Sequence, residues 1–414
     1  MARLLLFAAT TGYQTRIFAD AAKRLGLGVT LATDRCHVLE DPWGDNAIPV
    51  RFEDPLASRD AVVGLGPFDA IVAVADRPTL AAALAAEALG IPYNSPASVT
   101  AARDKYRARQ LYQAAGLPVP AFERLRLDED PGAAAGRASY PCVLKPLGLS
   151  ASRGVIRANN AGEFVAAFQR IKRLLESVDV AMLREEQHRF IQVESYIEGR
   201  EFAIEGILTD GRLQVLAVFD KPDPLEGPYF EETIYVTPSR GGADVEHALI
   251  AAVQRAITAL GLTRGPVHAE LRYDGTRAWI LEVAARPIGG LCARALRFGE
   301  GMPLEELILR HALGEDVANA RLADAASGVM MIPIPKGGIY QGVAGEAEAR
   351  EVAGIEDVII TAKEGQEILP LPEGATYLGF IFARGASPEQ VERALREAHG
   401  RLHFAIATTL PVRM

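Results

Sequence analysis

The chain of 414 residues is poor in cysteine, with three in all, and Cys36, Cys142 and Cys292 show neither CxxC nor Cys/His metal spacing. That excludes a disulfide scaffold and predicts a reducing, cytoplasmic setting. No apolar stretch reaches the roughly 18 residues that a bilayer span needs, so no membrane partner is expected. The short run Leu4–Ala8 behind Arg3 lacks a cleavage region and reads as a first buried strand. There is no long run of one charge, and the net charge of −9 argues against a general nucleic-acid binder. The turn after the first strand, AATTGYQ, lacks GxGxxG, which removes a nicotinamide oxidoreductase reading. GxxxxGK[ST] is absent too, so no Walker loop is present.

What is present is an ordinary globular composition, 49% hydrophobic and 23% charged, in a chain long enough for two or three domains. The first section alternates strand and helix: Leu4–Ala8, a turn at Thr10–Tyr13, a helix Thr15–Leu25, then strands Val29–Ala32 and Asp69–Val74 and a helix Pro78–Leu89 stopped by Gly90. That is a small doubly wound α/β sheet. A helix from Ser98 to Ala115 follows, then a linker Leu127–Ser139, a strand Cys142–Lys145 and a small-residue loop Pro146–Gly154. The helix Ala161–Ser177 and strands Phe190–Glu194, Glu201–Leu208 and Leu213–Asp220 make the middle α+β. The last section, with strands near Gly328–Ile334, Val358–Thr361 and Tyr377–Ala383 and a helix Pro388–His399, reads as a small cap domain.

The chemistry concentrates in HAELRYDGTRAWILEVAARPIGG, His268–Gly290. A hairpin closed by a three-residue loop, Gly275–Arg277, sets Glu270 opposite Glu282 and puts Leu271, Tyr273, Trp279, Leu281 and Val283 on the other face. Facing carboxylates repel, so the pair calls for a divalent cation between hard oxygen ligands, Mg²⁺ carrying a nucleotide's phosphates. His268, two residues from Glu270, shares its face and is read as a hydrogen-bond partner that orients it. Upstream, Lys145 ends an apolar strand before PLGLSASRG, whose Gly148, Ser150, Ser152 and Gly154 leave backbone N–H groups free to approach phosphate. Lys105 adds a second cation near a helix start. Cys142 is expected to be a small buried hydrophobe, while Cys292, beside the site, raises a question of reactivity.

In this order, a strand lysine, a glycine loop and a distant carboxylate pair, the chain resembles the ATP-grasp superfamily of carboxylate-amine ligases over essentially its whole length. HAE at His268–Glu270, EVAAR at Glu282–Arg286, FDKPDPLEGPYFEETIYVTP and the C-terminal TYLGFIFARGASPEQVERALREAHGRL are similar to its L-amino-acid ligase branch, which makes dipeptides. The resemblance implies a Rossmann-like preATP-grasp domain over 1–97, an ATP-grasp domain over 98–315 with a lid at about 118–192, and a C-terminal domain over 316–414. It implies ATP and Mg²⁺ as cofactors, with Mn²⁺ as a substitute.

On that template Lys105 and Lys145 bind phosphate and Leu147–Gly154 is a flexible loop over it. The main chain of Glu194, Ser195, Tyr196 and Ile197 meets adenine, and Glu201 meets the ribose. Glu270 and Glu282 ligate metal, and Arg286 contacts phosphate or the activated carboxylate. Glu231 and Glu232 lie near the active site, and the Gly289 and Gly290 N–H groups join Arg286 in stabilising a tetrahedral oxygen. Many members carry Asn where this chain has Ala284, so one metal ligand is replaced or taken over by water. The expected partners are a small-molecule carboxylate and amine, with a homodimer as assembly. A biotin-carboxylase-like or purine-pathway enzyme, or an ATP-binding regulatory module without turnover, are the alternatives.

Overall fold

Leu4, Leu5, Leu6 and Phe7 are fully buried, as befits a parallel strand covered on both faces. Their strand, Arg3–Ala8, pairs in parallel with Gly28–Thr33 and with Ala70–Val74, and Ala47–Pro49 completes a four-stranded sheet. Leu4 and Leu6 pack with Phe18 and Ala22 of the helix Thr15–Arg24, while Leu5 and Phe7 pack with Ala81 and Ala85 of the helix Thr79–Leu89. This computed structural model describes residues 1–9, 14–34 and 46–408; Cys36 and the expected turn at Thr10–Tyr13 lie outside the described residues.

The single helix expected over Ser98–Ala115 is instead two, Pro96–Arg103 and Lys105–Ala114. Asp104 between them has an extended backbone, and its carboxylate accepts from the Arg107 N–H at 2.9 Å, so it caps the second helix. The break makes Lys105 the first residue of a helix. The linker expected over Leu127–Ser139 also contains a helix, Pro131–Arg137, started by the Asp130 cap with proline in its first turn.

This short helix packs on a four-stranded antiparallel sheet of Phe122–Arg126, Phe190–Ser195, Cys142–Pro146 and Ile156–Ala158. The helix Ala161–Leu175 covers the same sheet with Phe164, Phe168, Ile171 and Leu175, one face at helical spacing.

The centre of the molecule is one antiparallel sheet of eight strands. Their order is Ala278–Ala284, Gly265–Tyr273, Arg200–Thr209, Arg212–Asp220, Ile234–Thr237, Ala326–Ile332, Gly379–Gly385 and Ile355–Ile360. Helix Ala243–Leu260 lays Leu249, Val253, Ile257 and Leu260 on it. The last section is joined to the middle one by its backbone: three of its strands extend the central sheet through the pairing of Ile234–Thr237 with Ala326–Ile332. Among the described residues, no helix is long and apolar enough to cross a membrane.

Candidate active site

Glu270 does pair with Glu282, by a route different from the regular hairpin expected. Tyr273 pairs with Ala278, so the loop is Asp274–Arg277, four residues, and the register then shifts so that Leu281 is an extra residue between Ile280 and Glu282. The longer loop and the bulge cancel at the glutamates but not before them. Ala278 and Ile280, rather than Trp279 and Leu281, join Leu271 and Val283 in the core. The bulge also frees the Leu281 carbonyl to accept from Arg109 at 3.0 Å.

Glu270 is held from behind. His268 donates or accepts at 3.3 Å to Glu270 and at 3.1 Å to the fully buried Glu205, whose carboxylate also takes the Ile288 N–H at 3.1 Å. Burial opposes a charged imidazole, but the two carboxylates outweigh it and raise His268 to about 9. Burial alone pushes Glu205 up, against the pull of His268.

On the other flank one oxygen from each of Glu201, Glu232 and Glu270 lies within 4.8 Å of the other two. The Lys221 ammonium sits among them, 2.8 Å from Glu201, 3.5 Å from Glu270 and in a shorter contact with Glu232. Burial and the Glu270 charge lift Glu232 to about 7. Glu270 is pulled below the usual range because Lys221 and His268 overcome its burial.

Lys105 joins two parts of the site. Its ammonium donates to the Leu149 carbonyl of the glycine loop at 2.8 Å and lies 3.6 Å from Glu282. Lys145 is 2.6 Å from Glu194, which also takes the Arg109 guanidinium at 2.6 Å. Burial pulls Lys145 down to about 8, with Glu194 limiting the fall. Burial favours protonation of Glu194 too, but Arg109 and Lys145 overcome it and hold the acid at about 2.

The loop itself is fastened. Ser150 and Ser152 accept from Arg153 and Val155 through their carbonyls, and the Gly154 N–H, expected to be free for phosphate, donates to Pro372 at 2.9 Å. Gly154 has φ +75°, and a side chain there would meet the Pro146 ring at 2.7 Å. Gly148 packs beside Gln187 and His188.

The segment expected to meet adenine is partly engaged within the protein. The Ser195 and Tyr196 N–H groups donate to Ala121 and Pro141, and the Ile197 carbonyl accepts from Arg272 at 2.7 Å. Arg272, 3% exposed, also grips Glu201 at 3.0 Å and the Tyr196 hydroxyl at 2.9 Å. Gly199 must lack a side chain here, since a Cβ would lie 2.1 Å from the Tyr273 carbonyl oxygen.

Arg286, its side chain 12% exposed, lies against Asp76 just beyond the strand Ala70–Val74, at 3.0 Å and 3.1 Å, and this pair outweighs desolvation to raise the guanidinium further. Gly289 and Gly290 follow directly, before a short 3₁₀ turn that carries Cys292. Cys292 is buried and burial pushes its thiol up, which answers the reactivity question in the negative. Cys142 is buried as expected, its thiol raised to about 11 by burial.

Five side chains of the site escaped the sequence reading: Asp76, Arg109, Glu205, Lys221 and Arg272. Arg109 had a signal, because it stands four residues after Lys105 on one helix face. So did Glu205, which shares a strand face with Glu201 amid apolar neighbours.

Residues 138–295 match the model of the ATP-grasp domain, residues 19–93 that of the ATP-grasp N-terminal domain, and residues 330–407 that of the L-amino acid ligase C-terminal domain 2. The chain belongs to the ATP-grasp superfamily. This ATP-grasp protein is 27% identical to the L-amino acid ligase from Bacillus licheniformis, with a TM-score of 0.80 over 99% of both chains. It is 28% identical over 261 residues to the alanine-anticapsin ligase of Bacillus subtilis, 60% of this chain and 54% of that protein. A D-alanine-D-alanine ligase of Pseudomonas putida is 29% identical over 246 residues, 56% of this chain and 70% of that one. The chain spans about half the length of the alanine-anticapsin ligases it matches.

Glu270 and Glu282 fit a hard divalent cation: both are oxygen donors from facing positions, and Glu282 remains 28% exposed in its side chain. Ala284, where many members have Asn, is buried and offers no ligand atom.

Proposed function

We propose that this chain is an ATP-dependent, ADP-forming carboxylate-amine ligase acting on an amino acid or small peptide. The observation that carries the reading is the facing Glu270 and Glu282, with Lys105 linking Glu282 to the glycine loop. The names of the relatives, which join amino-acid partners, support the substrate class.

A substrate carboxylate oxygen attacks the γ-phosphorus and ADP leaves, giving an acylphosphate. An amine then attacks the acyl carbon, loses a proton, and phosphate departs. Bound between Glu270 and Glu282, Mg²⁺ or Mn²⁺ would neutralise phosphate charge. Lys105 and Lys145 hold phosphate oxygens, and loop 147–154 excludes the water that would waste the acylphosphate. The segment 194–197 holds the base through the main-chain groups it has left, with Glu201 near the ribose. His268 orients Glu270, and Arg286 with the Gly289 and Gly290 N–H groups meets the developing oxygen charge. Glu232 stands on the substrate side. A cytoplasmic homodimer and domains at 1–97, 98–315 and 316–414 complete the reading.

Incubating the protein with ATP, Mg²⁺ and an amino-acid panel should release phosphate and give an amide product seen by mass spectrometry. A bicarbonate arm separates a carboxylase-like enzyme. A nucleotide-binding module without turnover, to which Ala284 gives some support, releases no phosphate in any arm.

A further inference from the structure

The lid's glycine loop is gripped by a segment far away in sequence. Residues 369–374, LPLPEG, leave the C-terminal strand Glu367–Ile368 and close a turn in which the Gly374 N–H donates to Pro370 at 2.9 Å. A Cβ at Gly374 would sit 1.9 Å from the Leu369 carbonyl oxygen, so the turn requires glycine. Three contacts then run to the lid. The Pro372 carbonyl accepts from the Gly154 N–H at 2.9 Å, and the Glu373 carbonyl accepts from Arg153 at 2.7 Å. The Glu373 carboxylate takes Arg170 of the lid helix in a two-point fork, at 2.5 Å and 2.8 Å. Tyr229 adds its hydroxyl to Arg170.

We propose that residues 369–374 form a latch from the C-terminal domain, with Glu373 and Arg170 as the positioning pair that sets the glycine loop. The loop is fixed at its near end by Lys105 on Leu149 and at its far end by Pro372 on Gly154. Its far donor is therefore placed by a different domain from the one that carries the loop. Arg170 and Glu373 are 37% and 36% exposed, so their pair contributes little to folding, and its geometry is spent on holding one lid position. Closing the loop from outside the lid guards an acylphosphate against water. The functional part of this inference rests on the ligase reading above; the latch itself does not.

The test uses Glu373→Gln, Arg170→Ala and the exchanged pair Arg170→Glu with Glu373→Arg, in the full-length protein. Hydrogen exchange at the Gly154 amide without nucleotide should quicken about twofold to fivefold in each single variant, the worth of a partly exposed ion pair, and slow again in the exchanged pair. With substrates, the single variants should raise KM for ATP and release more ADP than amide product, while kcat changes less. Unchanged exchange at Gly154 in both single variants overturns the latch. If exchange responds but the parent protein turns over no amino acid, the latch stands and the ligase reading fails.

Discussion

Replacing Glu282 by Gln keeps the side chain's volume and removes one negative charge from the facing pair. Its ionic contact with Lys105, at 3.6 Å, is partly exposed, so its loss costs about 0–1 kcal/mol. Against that, the repulsion between Glu270 and Glu282 on neighbouring strands is relieved by a few tenths of a kcal/mol to about 1 kcal/mol. The two nearly cancel, so thermal unfolding without ligand should stay within error of the parent protein. Turnover should behave differently. Removing one preorganised group aimed at charge that develops in a transition state costs about 2.7–4 kcal/mol where an oxyanion-hole donor is lost, or 10²–10³ in rate, and that scale is taken for the phosphoryl step. Phosphate release with the amino-acid panel should therefore fall at least a hundredfold, and the stabilisation that Mg²⁺ and ATP give the parent, about 2.7 kcal/mol at a hundred times Kd, should shrink or vanish. Full turnover by Glu282→Gln, or an unaltered response to Mg²⁺ and ATP, would refute the metal-binding role. A large loss of stability without ligand would instead show that the charge is needed for the fold.

Three further outcomes follow from the same geometry. Burial brings Lys145 down to about 8, and it attracts phosphate only when protonated, so nucleotide affinity should weaken as pH rises from 7 to 9.5, approaching one proton per nucleotide; Lys145→Arg should flatten that slope in calorimetric titrations. Arg272→Met removes the charge and the fork shared by Glu201, Tyr196 and Ile197 and should destabilise by about 3–5 kcal/mol in urea unfolding; a change below 1 kcal/mol would deny its role as the anchor of segment 196–201. Cys142 and Cys292 should resist iodoacetamide in the native protein and react after unfolding, as read by mass spectrometry; native labelling of Cys292 would contradict its burial.

Parts of the site were legible because they are local. Periodicity placed the parallel strands, and a lysine, a glycine loop and two spaced glutamates mark their chemistry within short windows. The side chains that missed attention act across long separations in sequence: Asp76 on Arg286, Glu205 on His268, Lys221 on three glutamates, and Arg272 on the segment 196–201. A composition or spacing signal does not carry such pairings, because each partner alone is an ordinary charged residue in a strand or loop. The same limit explains the C-terminal section. Its strands look like a small independent sheet until Ile234–Thr237, four residues of a middle segment, supplies the edge on which Ala326–Ile332 is built.

The hairpin shows how a right pairing can come from two departures that cancel. A regular ribbon with a three-residue loop and the observed ribbon with a four-residue loop and a bulge both set Glu270 against Glu282. They differ in what Leu281 does. In the bulge its carbonyl turns to Arg109, which is 2% exposed and holds Glu194, which in turn holds Lys145. Alternation alone would put Ile280 and Glu282 on one face, so the extra residue is also what lets Ile280 enter the core while Glu282 stays 28% exposed beside Lys105. The bulge thus joins the strand of Glu282 to Lys145 through Arg109 and Glu194. An acceptor lost to a buried guanidinium costs about 1–3 kcal/mol, which sets the scale of that connection.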